Sequence, residues 1–236
     1  MVSVLAFDST GSGCSAALLR DGRILAHRFA AMARGQTERL MPMIAEVVEE
    51  ARTPIETLDL IGVTVGPGAF TGLRIGLAAA HGLSLASGVP AIGITSFAAV
   101  AAQIAPEERR DRRLVVALDS KRAELYLQAF GTDGAAQGRG ALVGPADFAA
   151  WVPPGPLLLA GDGAARLAQA ITDRRPVIAP GLGIPDAADV ARLAAASWRR
   201  GQTPPRPRPL YLRPPDTTTP SRPGQGAEKR AAEAGR

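Results

Sequence analysis

VTVGPGAFTGLRIGLAAAHGLSLASGVPAIG, residues 63–93, carries four patterns in a row: a strand, a glycine-rich turn, a helix and a second strand. The turn Gly66-Pro67-Gly68-Ala69-Phe70-Thr71-Gly72 places three glycines and a proline where a backbone bends tightly or approaches another closely. Thr71 is expected to cap the helix that follows. Along that helix Gly72, Gly76, Ala80 and Ser84 recur every fourth residue, which leaves one face nearly flat for close packing. A turn of this kind at a helix start also suits an anion, through free N–H groups and the positive end of the helix dipole.

Upstream, residues 4–8 read as a buried strand. Residues 9–12 read as a turn, and 15–19 and 24–29 as two strands joined by the hairpin turn Asp21-Gly22. Residues 36–52 have helical spacing, with Thr37 as the expected N-cap, and residues 61–65 form the next strand. Downstream of the glycine segment come a strand at 91–94 and a helix at 96–104. The charged run 106–113 marks an expected boundary. Beyond it, strands are expected at 114–118, 124–130 and 157–160, and helices at 145–152, 163–171 and 187–199. The division predicted is an N-terminal lobe over 1–105, a smaller C-terminal lobe over 114–212, and a disordered, basic, proline-rich tail over 213–236. Each lobe opens on a strand with a late aspartate, Asp8 and Asp119. This faint internal repeat predicts the α/β architecture of actin-like (ASKHA) ATPases, two lobes of mixed sheet flanked by helices, with the second lobe reduced.

The net charge of +5 is unevenly spread. Residues 199–236 hold nine of the 27 Lys and Arg and three of the 22 Asp and Glu, so the remainder is close to neutral. A folded body of that kind is not a basic platform for nucleic acid, which needs clustered cations on the surface. The single cysteine, Cys14, excludes an internal disulfide and fits a reducing cytoplasm. No run of about 18 apolar residues is present to span a membrane. The opening MVSVLAFDST reads as a first strand rather than a leader.

Two readings stand for Asp8-Ser9-Thr10-Gly11. The aspartate positions a metal-bound water beside a phosphate loop, or it caps the turn after its own strand. Asp119 is followed by Ser120-Lys121-Arg122, where close approach to a phosphate calls for glycine. Gly161-Asp162-Gly163 is the candidate for an adenosine-contacting glycine turn, and it reads more simply as an ordinary strand-to-helix turn. His27 and His81 have no companion at metal-ligand spacing, and Cys14 has no histidine placed to activate it. In the helix at 36–52, Leu40, Ile44, Val47 and Ala51 make an apolar stripe that Met41, Met43 and Val48 widen. With Leu73, Leu77 and His81 on the glycine helix, this stripe suits either a partner protein or full burial within the lobe.

GPGAFTGLRIGLAAAHGL, at 66–83, resembles the signature of the paired TsaB and TsaD families, which make threonylcarbamoyladenosine in tRNA. TERLMP at 37–42, VALDSKRAELY at 116–126 and LYLR at 210–213 look like TsaB. Gly35-Gln36 departs from the histidine-serine pair common there. TsaD carries two metal-binding histidines on the helix after the glycine segment; residues 94–101 here contain no His, Cys, Asp or Glu. The resemblance therefore implies a non-catalytic subunit with no cofactor of its own. It would heterodimerise with TsaD and activate it in the cytoplasm, with TsaE as an ATPase partner and tRNA reached only through the complex. The implied interface is Leu40, Met41, Ile44, Val47, Leu73, Gly76, Leu77 and Ala80. Asp8, Ser9, Thr10 and Asp119 would form a vestigial nucleotide loop, and Gly66, Gly68, Thr71 and Gly72 a structural turn. The competing reading is an actin-like ATPase or small-molecule kinase using Asp8 and Asp119. A homodimeric scaffold built on the same two helices is the third.

Overall fold

In the computed structural model, residues 2–181, 183–199 and 201–213 are described. Strand β1 (Ser3–Asp8) is buried along its whole length, because helices cover both faces of its sheet. Leu5 and Phe7 point to one side; Val4 and Ala6 point to the other. It pairs antiparallel with β2 (Gly13–Arg20), which pairs with β3 (Arg23–Ala31). The hairpin between β2 and β3 turns through Asp21 and Gly22, both left-handed at φ 51° and 79°. On its other side β1 runs parallel to β4 (Leu60–Thr64), followed by β5 (Ala91–Ile94), giving the order β3-β2-β1-β4-β5. Helices α1 (Gln36–Glu50) and α2 (Phe70–Ser87) close one face of this sheet.

Helix α3 (Ser96–Ala102) and the single turn α4 (Pro106–Arg109) lead to the second sheet. Its strands are β6 (Arg113–Asp119), β7 (Leu125–Phe130), β8 (Ala136–Val143), β9 (Leu157–Ala160) and β10 (Val177–Ile178). Their order, β10-β9-β6-β7-β8, repeats that of the first sheet with the same senses of pairing. Helices α5 (Phe148–Trp151) and α6 (Ala164–Ala170) cover one face, and α3 covers the other. Helix α7 (Ala187–Ser197) then returns to pack on β1, β2 and β4. This is the two-lobed actin-like architecture, with β1 and β6 in equivalent central positions.

The helices cross the division expected from sequence. Phe97, Val100, Ala101 and Ile104 of the α3 region join the core under the second sheet. Val190, Ala191 and Ala194 of α7 join the core under the first. Two caps also differ from expectation. Gly35, at φ 96°, and Ala69 precede α1 and α2 without a side-chain cap, so Thr37 and Thr71 lie inside the first turns. Strands β8 and β10 were not foreseen. Glycines and polar residues break the alternation in β8, and β10 has only two residues. The expected tail, beyond Arg213, lies outside the described residues.

Candidate functional site

A cleft of about 870 Å³ opens between the lobes. The first lobe contributes the loop at 10–12, the start of α1 at 33–37 and the glycine turn at 67–72. The second contributes Asp119, Ser120, Lys121, Tyr126 and Asp162. Residues 210–213 form a further part of the wall.

The glycine turn is built against the loop after β1. A Cβ at Gly72 would overlap the Ser9 carbonyl oxygen, and one at Gly68 would overlap that of Thr10. The Ala69 N–H donates to the Thr10 carbonyl at 2.7 Å, and the Ser9 hydroxyl donates to the Gly72 carbonyl at 2.8 Å. Gly76 meets Ser9 Oγ and Val63. The flat face of α2 thus serves its own lobe, by close approach of backbone to backbone.

Asp8 is 1% exposed and does not line the cleft. Its Oδ1 accepts from the Thr10 N–H at 3.1 Å, the Thr10 hydroxyl at 2.6 Å and the Thr64 hydroxyl. Burial pushes its carboxyl up to about 6 against the lowering pull of these bonds. The carboxylate caps the turn and ties β1 to β4. Asp119 does reach the cleft. Its Oδ1 accepts from the Lys121 N–H at 2.8 Å, and Lys121 Nζ lies 3.2 Å from Oδ2. Arg166 lies 3.4 Å away. Burial raises the Asp119 carboxyl, yet these bonds and cations outweigh it and hold it below the ordinary value. Asp162 accepts from the Asp119 N–H at 2.8 Å, and its carboxyl is raised by burial. Gly161-Asp162-Gly163 packs on the Ala117 carbonyl, as the glycine turn of the first lobe packs on Ser9 and Thr10. Asp8 and Asp119 therefore occupy equivalent places, but each carboxylate is engaged by its own loop.

The implied interface needs correction. Leu40, Ile44, Val47, Leu73, Leu77 and Ala80 are between 0 and 6% exposed and form the core under the first sheet. Gly76 is buried with them. These side chains face their own strands and cannot meet a partner; of that set only Met41, at 48%, is exposed. The outward stripe of α2 lies one position away. Phe70, Arg74, Ala78, Gly82 and Leu85 are exposed, Leu85 at 88%. On α1, Met41 and Ala45 face out one turn apart. The helices pack on each other, so the two outward faces adjoin. Strong periodicity marked the stripes, but spacing alone did not say which one the sheet covers.

Residues 207–213 run from α2 toward the second lobe. The Leu210 N–H donates to the Val65 carbonyl at 2.7 Å, and His81 Nε2 lies 3.1 Å from the Pro207 carbonyl. The Tyr211 ring sits 5.5 Å from that of Phe70, with the Arg74 guanidinium 3.7 Å over Phe70 and its Nε donating to the Tyr211 hydroxyl at 3.3 Å. Leu212 packs on the core of the second lobe, and Arg213 pairs with Glu124 at 2.8 Å. His27 pairs instead with Asp186, the N-cap of α7, at 3.0 Å. Cys14 is fully buried, with its thiol pushed up to about 11 by burial. Among the described residues no three His, Cys, Asp or Glu side chains gather to hold a metal ion. No described helix is long and apolar enough to cross a membrane.

Two lobes of one topology, a glycine turn locked on the first loop and an outward helix pair define a member of the actin-like class. The family model described as TsaD: tRNA N6-adenosine threonylcarbamoyltransferase matches residues 24–191. YeaZ from Pseudomonas aeruginosa is 30% identical and superimposes with a TM-score of 0.76, over 90% of this chain and 100% of that one. The Escherichia coli tRNA threonylcarbamoyladenosine biosynthesis protein TsaB is 33% identical over 130 residues, which span 55% of this chain and 55% of that protein. The chain thus spans about half the length of that relative. An uncharacterised protein of Mycobacterium tuberculosis is 33% identical over 91% of this chain and 93% of its own length. The chain belongs to the TsaD family, as a member of TsaB/YeaZ type.

Proposed function

We propose that this chain serves tRNA threonylcarbamoyladenosine synthesis as a non-catalytic subunit, pairing with TsaD through the outward faces of α1 and α2 and holding TsaD in an active conformation. The observation that carries this reading is the exposed apolar stripe Met41, Ala45, Phe70, Ala78, Gly82 and Leu85 on two adjacent helices. Small residues at 78 and 82 let another helix approach closely, while Phe70, Met41 and Leu85 supply area to bury. The matched stretch of the E. coli relative supports the pathway. In this reading the chain brings no cofactor, TsaE joins as the ATPase, tRNA is met through the complex, and the assembly works in the cytoplasm.

The engaged states of Asp8 and Asp119 weigh against the kinase or ATPase alternative, since neither carboxylate is free to position a nucleophile. Light-scattering chromatography with TsaD from the same organism tests the pairing. A one-to-one complex is expected with the native chain. Ala78→Glu, on the exposed face, is expected to weaken it at least about tenfold while the fold is retained. An equally tight complex with Ala78→Glu overturns the assignment of this face. A persistent homodimer in the presence of TsaD favours the scaffold reading.

A further inference from the structure

We propose that residues 207–213 form a strap that couples the outer face of α2 to the opening of the inter-lobe cleft. Two chain crossings already join the lobes, one through α3 and α4 and one that ends in residues 183–186, where Gln103 Nε2 donates to the Ile184 carbonyl at 2.7 Å. The strap is a third connection, and it has an anchor in each lobe. In the first lobe it adds a backbone bond at the end of β4 and lies along α2 through Pro207 and Tyr211. In the second it packs Leu212 against the core cluster that contains Leu118, Tyr126 and Phe130, and pairs Arg213 with Glu124. Leu210, Tyr211, Leu212 and Arg213 all line the cleft, so a change in cleft width strains one anchor or the other.

The first-lobe anchor is built from the residues that end the outward stripe of α2. Phe70 is 43% exposed and Tyr211 41%, and their rings lie against each other at the surface. Arg74 covers Phe70 on one side and bonds Tyr211 on the other. A protein docking on this stripe covers both rings together and stabilises the strap-bound state over the released one. The ligand shifts the equilibrium by its differential affinity for the two states. Reciprocity then requires that loosening the distant anchor at Arg213 weakens that protein's binding by the same factor. This last step rests on the pairing proposed above; the strap's grip on the two lobes does not.

Pulsed electron–electron resonance on the full chain tests the coupling. Spin labels go on cysteines placed at Arg23 and Arg139, exposed positions on β3 and β8. Cys14, fully buried, stays unlabelled. A single narrow inter-lobe distance is expected for the native strap, and a broader, longer distribution for Arg213→Ala and Tyr211→Ala. Arg213→Lys should restore most of the narrowing. Glu124→Gln breaks the same pair from the other lobe and replaces Tyr211→Ala if that variant does not fold. Added TsaD should narrow the distribution further, and Arg213→Ala should bind TsaD about fivefold more weakly although it lies off the docking stripe. Distributions that superimpose across native chain, Arg213→Ala and Glu124→Gln overturn the strap. A strap that responds to these variants but not to bound TsaD overturns the coupling. If the native chain binds no TsaD, the pairing fails, and the coupling to it fails with it; the isolated-chain distances still report the strap by themselves.

Discussion

Asp8 sits buried at the end of its strand, and its carboxyl is held near 6 by that burial. A carboxyl whose folded pKa lies above its unfolded value binds more protons when folded, so stability falls as pH rises through that window. The native chain is expected to lose about 2 kcal/mol of stability between pH 4 and pH 7 from this group. Asp8→Asn keeps the acceptor for Thr10 and Thr64 and removes the charge, so the loss should vanish in urea titrations at the two pH values. An unchanged pH dependence in Asp8→Asn would show that another group carries it. His27 works in the opposite sense. Its hydrogen bond to Asp186 raises its pKa above 6.5, so its stabilisation is present below that value and fades as pH rises through the raised one. What could be read at this scale was the kind of residue, not its engagement. Asp8 and Asp119 stood out from the strand repeat, and the turn-capping reading of Asp8 covers its bond to Thr10, two residues on, a spacing Lys121 shares with Asp119; the hydroxyl of Thr64 that also claims Asp8 comes from β4, a pairing a one-dimensional pattern does not contain.

Among the elements, α2 was the most legible, because glycine spacing, turn and helix agree over 18 residues. Its flat face was legible as close packing, though the backbone it meets belongs to the loop at Ser9 and Thr10. Gly72→Ala is expected to cost about 3 kcal/mol, since the new methyl group would displace the Ser9 carbonyl that the turn is built on. Thermal melts against the exposed control Gly82→Ala, which meets nothing within 4 Å, separate that cost from a helix-propensity effect of the opposite sign. The two outward-versus-inward assignments give a second test. Leu77→Glu puts a charge into the core and should destabilise the lobe by ~4 kcal/mol or more, whereas Ala78→Glu should leave denaturation midpoints nearly unchanged. Equal effects of the two would contradict the orientation of α2. Strand β8 escaped the sequence because an edge strand with two glycines and an irregular register carries little alternation.

For the whole molecule, the repeat of strand order was foreshadowed by Asp8 and Asp119, while the exchange of helices was not. Composition put the boundary in the charged run 106–113, and β1–β5 do precede it, but Gly62 lies against Val190 and Ala194 of a helix more than 120 residues later in the chain. A fragment of residues 1–105 is therefore expected not to fold alone, because Val4, Ala6 and Leu60 would face water. Adding a peptide of residues 183–199 should restore its far-ultraviolet dichroism and protect its amides from exchange. A cooperative thermal transition in the fragment alone would refute this dependence.

The return of α7 to the first sheet also sets an order of events during synthesis. Strands β1 to β5 leave the ribosome early, yet one face of their sheet stays uncovered from Ile94 until Ala187 and the helix behind it have emerged. Over that interval the nascent chain presents Val4, Ala6 and Leu60 as an apolar surface, the kind of species that holdase chaperones retain and that aggregates at high expression. The second sheet, by contrast, finds α3 already made when β6 appears. The sheet encoded first is thus the sheet covered last.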